Sequence, residues 1–114
     1  MALMPEEEPV FICADSAQYS AKLVNMASGG ALISILDCDL QSKVGDICQL
    51  FFSDGDRMFG VSGKVMRKSG RYAAFKFVAV TNDTARNIRY KISRMESLSH
   101  RLTMGVDIFA NTME

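Results

Sequence analysis

The first eighty residues alternate between short apolar runs and turn-forming clusters, and the last thirty do not. Six runs carry the residue types and the alternation of β-strands: Val10–Ala14, Tyr19–Val24, Ala31–Leu36, Ile47–Ser53, Arg57–Arg67 and Arg71–Val80. In the fifth, Phe59, Val61, Gly63 and Val65 alternate with polar or small neighbours, so one face is expected to be buried. In the sixth, Ala73, Phe75, Phe77 and Ala79 form the equivalent face. Turn chemistry separates the runs. Asp54-Gly55 between two apolar segments is the strongest short hairpin signal. Asp15–Gln18, Val44-Gly45-Asp46 and Lys68-Ser69-Gly70 mark further reversals.

After Val80 the period changes. Ala85, Ile88, Ile92, Met95, Leu98 and Leu102 recur in steps of three and four and define one apolar stripe on a helix from Asp83 to Leu102. Thr81 or Asn82 can cap it, and Asp83 suits the positive end of its dipole. Arg86, Arg89, Lys91 and Arg94 fill its remaining surface and are expected to be solvated, as are Arg67, Lys68 and Arg71 around a hairpin turn. Five or six antiparallel strands followed by one helix predict an all-β barrel with a C-terminal α-helix. Residues 1–9 form an acidic N-terminal arm, expected to be mobile, 10–102 the domain and 103–114 a C-terminal tail.

Length and composition narrow the class. A chain of 114 residues with 48% hydrophobic content suits one domain with one core. Formal net charge is zero, which gives no reason to expect nucleic acid or an anionic membrane as a partner. No apolar run reaches the ~20 residues of a membrane helix, and the N-terminus lacks a signal-peptide pattern. Three cysteines, Cys13, Cys38 and Cys48, form no CxxC pair and fit a reduced cytoplasmic setting as small buried hydrophobes. His100 has no ligand cluster at metal spacing, so no metal site is expected. Asp37 and Asp39, like Asp54 and Asp56, belong to turns. No nucleophile elbow, phosphate loop or dinucleotide fingerprint is present, so an enzyme is not expected.

The most specific segment is Asn25-Met26-Ala27-Ser28-Gly29-Gly30, between the second and third strands. A glycine-bearing turn there lets the backbone approach a ligand. The run resembles the Asp/Asn-x-Ser-x-x-Gly signature of the PilZ domain, a small bacterial β-barrel that in many members binds cyclic di-GMP. Asn25 matches its first position and Gly30 its last, and Ala27 stands where the family usually has Ser. Val44-Gly45-Asp46, Gly63-Lys64-Val65-Met66-Arg67 and Tyr72–Phe77 are similar to three further family elements, in the same order. The family's upstream Arg-x-x-x-Arg pair has no counterpart: the first arginine is Arg57, and Lys22 is the only cation before Asn25.

The resemblance implies a site of Asn25, Ser28, Gly29 and Gly30, with Arg86 and Arg89 as substitute phosphate contacts. An asparagine supplies a donor and an acceptor to a base edge, and arginine grips phosphate or guanine. Hydrogen bonds to charged groups contribute ~1.5–3 kcal/mol each. Loss of two arginines then costs roughly 3–6 kcal/mol, about two to four decades of affinity. The expected function is a bacterial signalling or protein-interaction module, with cyclic di-GMP binding weak or lost and no cofactor required. The alternative is a sensor for cyclic di-GMP or another nucleotide at the Asn25–Gly30 turn. Partners are expected among pilus, flagellar or chemotaxis proteins, or in a second copy through the apolar tail Val106–Phe109.

Overall fold

The computed structural model describes residues 8–36 and 38–99, with side chains described to Met95. Six antiparallel strands close into a barrel: β1 (Pro9–Ala14), β2 (Ala17–Ala27), β3 (Gly30–Ile35), β4 (Ile47–Asp54), β5 (Arg57–Ser69) and β6 (Tyr72–Val78). One helix follows, α1 (Asn82–Ser99). Around the barrel the order is β1-β2-β3-β6-β5-β4, with β4 hydrogen-bonded back to β1. This is the expected fold class, with all six strands found.

Alternation fills the interior. Val10, Ile12, Ile33, Leu50, Phe52, Val65 and Phe75 are fully buried. Phe52 is the centre of an aromatic group, 5.6 Å from Phe59 and 6.0 Å edge-on from Phe77. Gly63 is required by this packing: a Cβ there would stand 2.6 Å from Leu50 Cδ1. The inward face of β6 ends sooner than its alternation suggests. Ala79 has a left-handed φ of 54°, which breaks the strand after Val78 and leaves Ala79 exposed.

Two bulges change the outward-facing rows. Pairing of β2 with β3 skips Val24, and pairing of β5 with β6 skips Met66. Four hairpins have two-residue loops. Three of them open on a left-handed residue: Asp15 (φ 53°), Gly55 (φ 68°) and Gly70 (φ 62°).

The segment between β3 and β4 covers the barrel end away from α1. Leu40 is buried there. Lys68 Nζ donates to the carbonyls of Leu40 and Ser42, both at 2.7 Å, and Arg71 donates to that of Leu36 at 2.7 Å. The expectation that Lys68 and Arg71 are merely solvated is therefore corrected: a loop too short of strand partners for its carbonyls takes donors from the β5–β6 hairpin. The cysteines also divide. Cys48 is buried and Cys13 intermediate, but Cys38 is exposed, contrary to expectation, because it lies on this irregular segment rather than on a strand.

Thr81 caps the helix, accepting the Thr84 N–H on its hydroxyl at 3.2 Å. Ile88 is fully buried, and Ile92 and Met95 pack against the core with Phe59. Leu102, His100 and the apolar strip Val106–Phe109 lie outside the described residues.

Candidate functional site

The segment from Asn25 to Gly30 is not one turn. Asn25, Met26 and Ala27 continue β2, opposite Leu32, Ala31 and Gly30, and only Ser28 and Gly29 form the loop. The bulge at Val24 explains this. It advances the register by one residue, so that Leu23 and Met26 both face the core and the chain stays paired up to Ala27. Asn25, just past the bulge, is half-buried, and its Oδ1 accepts the N–H of Met26 at 2.8 Å. Its amide nitrogen has no hydrogen-bond partner among the described residues.

Ser28 and Gly29 are exposed, and Gly30 is buried between Ala27 and Lys76 of β6. Unlike the other three hairpin loops, this one contains no left-handed residue. A Cβ on Gly29 would meet nothing within 4 Å. The turn therefore does not require glycine at that position. What the glycine leaves is open, uncrowded backbone, fixed in place because the Gly29 carbonyl accepts the Phe77 N–H at 2.8 Å.

The loop shares its barrel end with the start of β1, the β4–β5 hairpin and α1. Four of the charges there, Glu8, Asp54, Lys91 and Arg94, are paired with one another. Glu8, directly before β1, accepts the Leu23 N–H on its carbonyl at 2.9 Å. Its carboxylate binds the ammonium of Lys91 and faces Arg94 at 3.6 Å. Lys91 also donates to the Ser53 carbonyl at 2.6 Å, and Arg94 holds Asp54 at 2.8 Å. Lys91 is fully buried.

One expectation is corrected here. Lys91 and Arg94 are not a solvated helix face, and Glu8, within the expected arm 1–9, is bonded to both Leu23 and Lys91. The sequence held a signal for Lys91: it stands three residues after Ile88 and four before Met95, inside the apolar stripe, and a lysine in that stripe needs an anion.

Arg86 and Arg89, expected as phosphate contacts, are exposed, and Arg86 pairs within the helix with Asp83 at 3.3 Å. Neither is brought into contact with the Ser28–Gly29 loop by any described bond. Cations that sequence reasoning overlooked lie on the sheet. Lys76 stands beside Gly30 on β6, and Lys64 stands opposite Lys76 on β5. Both are exposed. Neither has an ionic partner among the described residues, and like charges directly opposite destabilise a pair of strands. Only the strand register reveals the juxtaposition, since the two are twelve residues apart.

Among the described residues no group of three or more His, Cys, Asp or Glu could hold a metal ion, and no helix is long and apolar enough to cross a membrane. The PilZ domain family model matches residues 4–94. The chain belongs to the PilZ family. Solved PilZ domains share its fold. The PilZ domain of CeSA from a cellulose-synthesizing bacterium superposes with a TM-score of 0.62 at 13% identity, covering 84% of this chain and 99% of that one. The PilZ domain of YcgR from Escherichia coli, solved with cyclic di-GMP, gives 0.67 at 16% identity, covering 92% of each chain. A comparison with curated proteins finds no significant match. At these identities the solved PilZ structures establish the barrel and leave the ligand chemistry of this member to its own residues.

Proposed function

We propose that this PilZ domain is a cytoplasmic signalling module that works by contact with another protein chain, and that it binds cyclic di-GMP weakly or not at all. The observation that carries this reading is the charge pairing at the barrel end that the candidate loop shares. Cyclic di-GMP is a dianion that needs unspent cations. At this end of the barrel Lys91 and Arg94 are already matched by Glu8 and Asp54. The Asn25 carboxamide is half spent on Met26.

Titration calorimetry with cyclic di-GMP tests this. The expected dissociation constant is in the high micromolar range or weaker, following the arginine arithmetic above. Submicromolar binding overturns the reading.

One observation favours the alternative. Lys76 lies beside Gly30, with Lys64 next to it, and neither has an ionic partner among the described residues, so a phosphate set over the open Gly29 backbone would find two ammonium groups. Under that alternative Lys76→Ala and Asn25→Ala abolish binding, while Arg86→Ala and Arg89→Ala separate the helix contribution.

For the protein contact, the same lysine pair, flanked by the exposed Ile47 opposite Lys64, suits an acidic partner surface. Pilus, flagellar and chemotaxis proteins are the partners to screen first. Self-association through the apolar tail is the version to measure first. Sedimentation should show a dimer that shifts towards monomer when residues 104–114 are removed. A chain still monomeric at concentrations on the order of hundreds of micromolar removes that version.

A further inference from the structure

Lys91 is the one fully buried charged side chain among the described residues, and its surroundings are unequal to those of its partner. The ammonium has two contacts, the Glu8 carboxylate and the Ser53 carbonyl. A carbonyl supplies a dipole and no net charge. Asp54, the nearest other carboxylate in the cluster, is engaged by Arg94 through both Nε at 3.0 Å and a terminal nitrogen at 2.8 Å. Compensation for Lys91 thus comes from Glu8, 83 residues away in sequence. Glu8 is differently placed, since it keeps Arg94 at 3.6 Å when Lys91 is gone.

We infer that Glu8 is a latch: its carboxylate holds α1 on the barrel, so seating of the segment at the start of β1 and docking of the helix form one equilibrium. The reason is what happens without it. A buried ammonium left without an anion cannot stay buried. The barrel strands are bonded to neighbours on both sides in a closed ring and have no way to relieve it. The helix has one, because no described backbone hydrogen bond ties its body to the sheet. Its apolar hold is Ile88 with the partly buried Ile92 and Met95. Swinging α1 away puts Lys91 into water at the cost of exposing those three and parting Arg94 from Asp54.

Linkage makes the device reciprocal. A partner that draws the start of β1 off the barrel, or that competes for the Glu8 carboxylate, releases α1 and uncovers Ile88, Ile92 and Met95. A partner that captures the released helix loosens the start of β1 in turn. This inference stands apart from the ligand reading above, since it needs neither cyclic di-GMP nor the Ser28–Gly29 loop.

Amide hydrogen exchange followed by NMR on the full chain tests it, with Ile88–Met95 reporting the helix and Ile33 and Phe75 the barrel. Glu8→Gln should speed helix exchange at least tenfold and leave barrel exchange unchanged. Lys91→Met, which replaces the ammonium by an apolar group of similar reach, should leave helix exchange within about threefold of the parent. The double variant Glu8→Gln/Lys91→Met should return to the slow rate, because no buried charge remains to be matched. Equal acceleration of barrel and helix in Glu8→Gln overturns the latch, as does global unfolding of that variant. Fast helix exchange persisting in the double variant overturns it as well, because Glu8 would then act through some group other than Lys91.

Discussion

Inward-facing side chains of β5 and β6 meet at the barrel centre, where emptying or crowding a site costs most. Alternation with period two places Phe75 and Phe77 on one inward face of β6, and both are buried. Phe77→Ala should cost about 3–5 kcal/mol, measured as the shift in a chemical-denaturation midpoint. The same alternation marks Gly63 only as an inward position of β5. The structure adds that Leu50 and Phe75 occupy the space of any side chain there, so Gly63→Ala should cost about 1–3 kcal/mol by the same measurement. By contrast Gly29→Ala should leave the midpoint unchanged, since its turn has neither a left-handed φ nor a neighbour to strike. The cysteines illustrate the limit of residue-type reasoning, because burial follows the element rather than the residue. Burial pushes the Cys48 thiol up, with the Ser42 hydroxyl opposing and the Asp46 and Asp15 carboxylates adding. The folded chain then keeps this proton where the unfolded chain has lost it. The resulting stability is intact below the ordinary thiol range, about pH 8.5, and declines as pH rises above it. Cys48→Ala should flatten that decline in a series of denaturation curves, and alkylation of native protein should label Cys38 well before Cys48.

At the scale of elements, what the sequence announced were the beginnings and periods. The cap at Thr81, the stripe Ile88–Ile92–Met95 and the Asp54-Gly55 hairpin are all local signals, written within a few consecutive residues. Thr81→Ala should lower stability by about 0.5–2 kcal/mol, read from thermal unfolding of the helix signal. The bulges at Val24 and Met66 were not legible, because an extra residue in one strand is defined only against its partner strand. That omission displaced the candidate site: without the bulge, the chain from Asn25 onward reads as a turn, and with it three of the six residues belong to β2. The paired cations of α1 were missed for a related reason. Period three-and-four shows which residues lie on the buried stripe, but the carboxylate that makes a buried lysine tolerable sits at the far end of the chain.

For the whole molecule, four of the six strand pairings are hairpins between consecutive strands, and turn chemistry foretold each of them. The other two, β3 with β6 and β1 with β4, close the ring, and no local signal specifies them. The expected barrel requires closing pairs without naming them, and only the strand order of the structure shows which they are. The unpaired Lys64–Lys76 couple belongs to this scale too, since it exists only once β5 and β6 are side by side. Its mutual repulsion should make Lys76→Gln stabilising by a few tenths of a kcal/mol at low salt, with the gain fading as salt is added.

Ring closure has a consequence in time as well as in space. Strand β1 ends at Ala14 and meets β4, which begins at Ile47, and β3 meets β6 across a similar interval of chain. Each closing contact confines a long stretch of chain before any bond rewards it, so these are the steps that set the pace of folding. The four hairpins can form and dissolve on the scale of microseconds, whereas the barrel should assemble in milliseconds to seconds. A ribosome releasing this chain produces β1 early and must wait for β4 before β1 acquires its second neighbour. During that interval β1 and β2 stand as an unclosed ribbon with a bare edge, the interval in which this domain is most open to pairing with the wrong chain.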